Sequence, residues 1–389
     1  MIHNLKRKLI RFFLFTVGYF PARKNQIVFE SFLGKQYGCN PKAIYVYMKI
    51  HHPDYSMYWS VDKNFASNFQ EDDIKIIFRY SIRWIFVMAF SRFWISNSRL
   101  PSYLIKPKHT KYIQTWHGTP LKKLVLDMDE VHMPETTTTE YKNNFLNESS
   151  KWDSLVSPNR YSTNIFKRAF AFEKDIIEIG YPRNDVLTND NNPVKITALK
   201  KKFDLPQDKK IILYAPTWRD NQFYNKGLYK FELELDLALL KEKYQEDCVI
   251  ILRMHYLVAE NIDTKKYENF VYDFSSGFDI NDLYLISDLL VTDYSSVFFD
   301  YANLKRPILF YMYDLDEYRD TLRGFYFDIT QKSPGPIVTT THELTKELDY
   351  FIETGEILFN DEFYDKFYNK FCYLEDGNVT KRFVENYIV

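Results

Sequence analysis

The chain has 389 residues, 46% hydrophobic and 18% aromatic, which excludes a disordered chain and calls for two cores of roughly 180 to 200 residues each. Its formal net charge of -1 excludes a nucleic-acid binder held by bulk electrostatics. Three scattered cysteines, Cys39, Cys248 and Cys372, suit a reducing compartment and argue against a disulfide framework or a zinc site.

The first acidic residue is Glu30. Before it stand Lys6, Arg7, Lys8, Arg11, Arg23 and Lys24, mixed with Phe12, Phe13, Leu14, Phe15, Tyr19 and Phe20. The apolar run 12–20 is broken by Thr16 and Gly18 and is too short to span a bilayer. It also lacks a small-residue cleavage site. Residues 1–24 are therefore expected to lie on an anionic membrane surface. A second acid-free stretch, 74–126, carries Lys75, Arg79, Arg83, Arg92, Arg99, Lys106, Lys108, Lys111, Lys122 and Lys123. An even spread of the acids would put about seven there, so the N-terminal half is basic and the C-terminal half acidic. Within this stretch, 79–94 repeats the mixture of basic and aromatic residues; 82–90 also fits a buried helix covering a sheet.

From residue 25 the pattern alternates. Residues 27–31 read as a strand, 41–50 as a helix, 55–61 and 74–78 as strands, 80–90 as a helix and 93–95 as a strand. A strand through Tyr112, a polar helix over 137–148, a strand at 155–156, a helix over 162–170 and a strand at 176–179 follow. Such alternation predicts a parallel sheet with helices on both faces. Residues 189–193 are a polar, proline-containing break and set the expected boundary between domains 25–190 and 191–389. The pattern then restarts, with strands at 210–214, 248–252, 289–292 and 307–311 and helices at 233–244, 279–287, 295–304 and 342–352, and a helical tail. The expected architecture is α/β, two doubly wound Rossmann-like domains facing a cleft, with ligands at the carboxyl ends of the strands.

Those strand ends carry the chemistry. Lys111 to Gln114 leads through Thr115 and Trp116 to His117, where Gly118 permits close approach. Thr119 and Pro120 read as the cap and first residue of a helix. His117 would then face a helix N-terminus, a natural anion site at Gly118 and Thr119. In the second domain, Tyr214 to Asp220 would deliver Thr217 and Arg219, the latter a bidentate phosphate clamp. Ile250 to His255 puts Arg253 and His255 on one strand face. Leu289 to Ser296 ends on Thr292, Asp293, Ser295 and Ser296, whose small hydroxyl residues cap the next helix and offer donors to a phosphate. Asp300 lies one turn inside it. No acidic pair or Asp/His cluster suits a required metal, although Asp293 and Asp300 are possible oxygen ligands.

The motifs Trp116-His117-Gly118-Thr119-Pro120-Leu121-Lys122, Tyr214-Ala215-Pro216-Thr217-Trp218-Arg219, Arg253-Met254-His255 and Thr292-Asp293-Tyr294-Ser295-Ser296 with Phe299-Asp300-Tyr301 resemble the CDP-glycerol glycerophosphotransferase family of teichoic acid synthesis. Residues 27–42 and Gly180-Tyr181-Pro182-Arg183 resemble it too, so the likeness runs over roughly 25–375. It implies a GT-B-type fold, CDP-glycerol as donor and a polyprenyl-diphosphate-linked acceptor; from the residues themselves no cofactor is expected, with a divalent metal left open. It implies His117 as catalytic base and His255 as a catalytic residue on the donor pyrophosphate. Thr292, Ser295, Ser296 and Asp300 match its donor-binding segment, with Thr217, Arg219 and Arg253 beside them. The expected place is the cytoplasmic face of the membrane. The alternatives are a ribitol-phosphate transferase or linkage-unit primase of the same family, or a UDP-sugar glycosyltransferase or epimerase of the same fold.

Overall fold

The computed structural model describes residues 2–69, 73–131, 136–217, 219, 223–225, 228–229, 233–254, 263–318 and 324–389. They form two compact units, and the chain passes between them four times. The first unit holds Met1–His117, Thr139–Asp185 and Leu374–Val389; the second holds Gly118–Thr138 and Val186–Tyr373.

The first unit is built on seven parallel strands: β1 (Arg23–Glu30), β2 (Ser56–Val61), β3 (Ile76–Phe78), β4 (Ser91–Ser96), β5 (Lys111–Gln114), β6 (Ser154–Ser157) and β7 (Asp175–Glu178). Their order is β3-β2-β1-β4-β5-β6-β7. The direction of winding therefore reverses between β1 and β4, which opens a crevice at their carboxyl ends. The strands are apolar runs because both faces are covered. Ile27, Phe29, Trp59, Ile95, Ile113 and Val156 form one side of the core. Helix α2 (Cys39–His51) covers them with Ile44 and Met48, and the Val379–Tyr387 helix with Phe383 and Val384. On this unit also lie α1 (Ile2–Val17) and α3 (Ile82–Phe90), in contact through Phe13 and Phe86.

The second unit carries β8 (Lys210–Ala215), a small antiparallel pair β9 (Phe223–Asn225) and β10 (Leu228–Tyr229), then β11 (Cys248–Leu252), β12 (Val271–Asp273), β13 (Leu289–Thr292), β14 (Ile308–Tyr311) and β15 (Ile337–Val338). Its main sheet is parallel in the order β12-β11-β8-β13-β14-β15, so the reversal falls between β8 and β13. Ile212, Tyr214, Ile250, Leu252, Leu289 and Val291 meet Leu344, Leu348 and Phe351 of the Thr341–Thr354 helix in its core.

Three local expectations differ from the fold. The helix expected to open at Thr119-Pro120 is absent. Residues 121–124 instead pair with 324–326: Lys122 bridges Phe325, Lys123 N–H donates to Gly324, and Tyr326 N–H donates to Leu121. Pairing with a distant segment has won over a local capping signal. The polar break at 189–193 falls between the Asp185–Asn189 and Pro193–Lys202 helices, the latter capped by the Asn192 side chain, and the chain leaves the first unit earlier, between Asp185 and Val186. Finally, the units do not follow the expected 25–190 and 191–389 spans. The last helix belongs to the first unit because Phe383 and Val384 bury there.

Candidate active site

His117 stands three residues beyond β5, at the carboxyl edge of the first sheet. The backbone turns sharply just before it, because Trp116 holds a left-handed φ of 52°. A bulky residue in that region is strained and persists only where its surroundings over-determine it. Here they do. The Trp116 ring packs on Phe145, Phe166 and Phe170 and stacks on the His117 ring.

His117 Nδ1 lies 2.7 Å from the carbonyl oxygen of Asn97, just past the end of β4. A carbonyl only accepts, so Nδ1 carries the proton and Nε2 presents its lone pair. Asn97 is held in turn: its side chain accepts from Phe32 N–H and donates to Ser31 Oγ, at the end of β1. The ends of β1, β4 and β5 thus converge on one imidazole. His117 is exposed as a residue, yet the protein crowded around the ring disfavours a charge. Its pKa falls from 6.5 to about 4; crowding is the largest cause, the Asn97 hydrogen bond acts in the opposite sense, and the Arg183 cation lowers it further. The ring is a neutral base at physiological pH.

In the second unit Thr217 and Arg219 follow β8, Arg253 follows β11, and Thr292, Ser295 and Ser296 lie at the end of β13. Arg219 is buried and uses all five of its N–H groups internally. Nε and Nη2 take both oxygens of Asp314, Nη1 takes Asp293 Oδ2 and the Thr217 carbonyl, and Nη2 also reaches Tyr313 Oη. Its guanidinium lies among the rings of Tyr294, Tyr313 and Tyr318. Burial opposes its charge, but Asp293 and Asp314 outweigh that and raise its pKa. The expected phosphate clamp is thus a buried brace joining three strand ends, with no N–H left over for a phosphate.

Asp293 accepts from Thr217 N–H as well, at 2.8 Å. Thr217 Oγ1 is buried and has no hydrogen-bond partner among the described residues. Thr292 is fully buried and donates to the Ala215 carbonyl, so its hydroxyl joins β13 to β8. Arg253 donates to the Phe274 carbonyl and is half-buried. Ser295 and Ser296 are half-buried at the start of the short Val297–Tyr301 helix, and the Ser296 side chain makes no capping bond. Thr119 and Asp300 are buried. Gly118 and Ser296 are in close contact: a Cβ at Gly118 would lie 2.7 Å from Ser296 Oγ, so only glycine fits without a shift. His255 lies outside the described residues.

Asn97 and Asn40 escaped the sequence reading. Asn40 is fully buried in the first turn of α2, and Asn40-Pro41, a dipeptide that favours turns, is the one local signal for it.

Residues 12–389 match the family model described as CDP-Glycerol:Poly(glycerophosphate) glycerophosphotransferase. The chain belongs to this family of transferases. It is 55% identical over 370 residues to the teichoic acid poly(glycerol phosphate) polymerase of Bacillus subtilis strain 168, covering 94% of this chain but only 48% of that protein. The chain therefore spans about half the length of that relative. It is 46% identical over 387 residues to the teichoic acid glycerol-phosphate transferase of Staphylococcus aureus, with 98% of both chains covered. The solved structure of a variant of the wall teichoic acid polymerase TagF superposes with a TM-score of 0.87 at 44% identity, covering 97% of this chain and 91% of that one. TagF has also been solved after soaking with CDPG. UDP-GlcNAc 2-epimerase from Neisseria meningitidis, at 13% identity and a TM-score of 0.51 over 92% of this chain and 98% of that one, shares the fold alone. The architecture is GT-B-type, mixed α/β with two parallel sheets.

Proposed function

We propose that the chain transfers glycerol phosphate from CDP-glycerol to a glycerol-phosphate-primed, polyprenyl-diphosphate-linked acceptor at the cytoplasmic face of the membrane, releasing CMP. The observation that carries this reading is the Nδ1–H of His117 donated to Asn97, which leaves Nε2 as the acceptor of a proton. An acceptor hydroxyl gives its proton to Nε2. Its oxygen attacks the phosphorus that bears glycerol, and the bond from that phosphorus to the bridging oxygen of CMP breaks in line. Positioning and charge stabilisation do most of the work in such transfers, and the base contributes about 10²- to 10⁴-fold.

The donor side is assigned to Thr217, Arg253, His255, Ser295, Ser296 and Asp300. Arg253 and His255 take charge from the leaving CMP, and the hydroxyls of Ser295 and Ser296 donate to its phosphate. Gly118 keeps the approach to Ser296 open. Arg219 and Thr292 hold the strand ends that present these groups. The family membership, and the likeness to relatives named for glycerol phosphate over nearly the whole chain, favour a glycerol donor over a ribitol one.

The membrane side of the reading rests on α1 and α3. No helix among the described residues is long and apolar enough to cross a membrane. Leu9, Phe12 and Phe15 of α1, followed by Tyr19 and Phe20, are nonetheless exposed, as are Ile82 and Phe86 of α3. That face, with Lys8 and Arg11 beside it, suits an anionic lipid surface.

The test is product mass. The purified protein is incubated with CDP-glycerol or CDP-ribitol and a lipid-linked disaccharide bearing one glycerol phosphate. Mass gains in glycerol-phosphate steps, from CDP-glycerol alone, support the reading, and their number tells one addition from polymerisation. Turnover of UDP-sugars alone would overturn it.

A further inference from the structure

Asn40 makes three hydrogen bonds, all with the segments that frame His117. Its Nδ2 donates to the carbonyl of Thr115 at 3.1 Å and to that of Trp116 at 3.2 Å. Its Oδ1 accepts from the backbone N–H of Arg183 at 3.1 Å. The amide is fully buried, and both of its polar atoms are satisfied.

The two carbonyls flank the residue with the left-handed φ. The Trp116 carbonyl belongs to the peptide that joins Trp116 to His117, so Asn40 sets the plane from which His117 departs. The ring is fixed separately, by Asn97. On its other side Asn40 fixes Arg183, whose positive charge acts on the His117 ring and whose Nη1 contacts Cys39 Sγ at 3.1 Å. One side chain therefore ties the first turn of α2 to the base and to the cation beside it.

We propose that Asn40 is a positioning residue for the transfer reaction, holding the turn at Trp116 so that His117 Nε2 meets the acceptor hydroxyl. The proposal rests on the reading of His117 as the base. Without Asn40, the Thr115 carbonyl and the Arg183 N–H lose this partner, the Trp116 carbonyl is left with Thr115 Oγ1, and the strained turn loses a restraint. Small displacements of a catalytic group are costly: an error of about 1 Å can lower the rate about 10²-fold.

The test is a double-mutant cycle. Asn40→Ser, Asn40→Asp, His117→Ala and the two double variants are assayed with CDP-glycerol and acceptor well below their thermal midpoints. Two Asn40 variants are used so that a folding failure in one leaves the other. Asn40→Ser is expected to lower kcat about 10- to 100-fold while KM for CDP-glycerol changes less than about 3-fold. In the His117→Ala background the same change should have little further effect, because its route of action is already gone. An equal loss with and without His117, or a wild-type kcat with only a lower thermal midpoint, would overturn the positioning role. Failure of the underlying reading appears elsewhere in the cycle, as wild-type turnover of His117→Ala alone.

Discussion

His117 donates its Nδ1–H to the carbonyl oxygen of Asn97, across 2.7 Å. A carboxylate that orients a histidine also favours the imidazolium. A backbone carbonyl orients the ring without adding a full negative charge. Crowding and Arg183 then keep the ring neutral. The result is an imidazole of low pKa, well oriented and, as the proposed base, intrinsically weak. That suits a reaction in which positioning and charge stabilisation dominate over proton transfer.

The pH profile follows from this pKa. As the proposed base, His117 would work in its neutral form, and lowering its pKa from 6.5 to about 4 extends that form toward acid. Below the pKa the rate falls as the ring takes up a proton. We expect kcat/KM to stay level from about pH 8 to about pH 5 and to drop roughly tenfold per unit below pH 4. His117→Ala should lower turnover by about 10²- to 10⁴-fold. An acid limb near the ordinary histidine value in the wild-type profile would contradict the environment described for the ring.

Arg219 predicts a stability effect rather than an affinity effect. Its five N–H groups brace Asp293, Asp314, Tyr313 and Thr217. Arg219→Lys keeps the charge and loses the planar fork, and Arg219→Ala removes the cation that both carboxylates contact. Breaking a buried pair by removing one partner costs about 3–5 kcal/mol. Denaturant unfolding should show a loss of that order in Arg219→Ala and a smaller one in Arg219→Lys. Variants of unchanged stability that bind CMP more weakly would return Arg219 to the role of phosphate clamp.

Most strands were legible because each is a short apolar run bounded by turns. Residues 248–252 and 289–292 were read to the residue. Strands β12 and β15 were not, being three and two residues long at the edges of their sheet. His117 was legible from its place after an apolar strand. Its orienter was not, because Asn97 acts through a backbone carbonyl that every residue carries. Arg219 was legible as a special arginine, but the carboxylates it braces were not. Its carboxylates, Asp293 and Asp314, lie 74 and 95 residues away in sequence, so no local pattern announces them. The missing helix after Pro120 has the same origin, since its competitor is the strand-like segment at 324–326.

Thr217 separates folding from binding. Its Oγ1 is buried without a partner among the described residues. Replacing a polar group that has no partner by an apolar one of the same shape is nearly neutral or stabilising. Thr217→Val should therefore keep or slightly raise the thermal midpoint. If the donor uses this hydroxyl, calorimetric titration with CMP or CDP-glycerol should show affinity lower by about 5- to 30-fold, the loss of one or two kcal/mol typical of a hydrogen bond. Unchanged affinity would remove Thr217 from the donor site.

The membrane prediction turns on the two faces of α1. One face docks: Leu14 is fully buried, Val17 nearly so, and Phe13 meets Phe86 of α3 edge to face at 5.0 Å. At its end Gly18 lies close to the Pro107-Lys108 backbone, where even a Cβ would come within 2.9 Å. The other face carries Leu9, Phe12 and Phe15, each more than half exposed. Deleting residues 1–20 would thus uncover part of the first unit's surface and confound binding with folding. Point changes on the outer face avoid this. Phe12→Ser with Phe15→Ser should leave the thermal midpoint unchanged and the turnover of a short soluble acceptor within about 2-fold of wild type, since exposed positions seldom affect stability. Sedimentation with anionic vesicles should fall at least tenfold, because each large apolar side chain buried contributes about 1.5–3 kcal/mol. Lys8 and Arg11, at about 1 kcal/mol each near an anionic surface, should make wild-type binding weaken in salt without vanishing. Turnover of a vesicle-bound acceptor should fall with the sedimentation. Vesicle binding equal to wild type in the double variant would move the contact to Ile82 and Phe86 of α3. Failure of the wild-type protein to sediment at all would count against a membrane-surface enzyme.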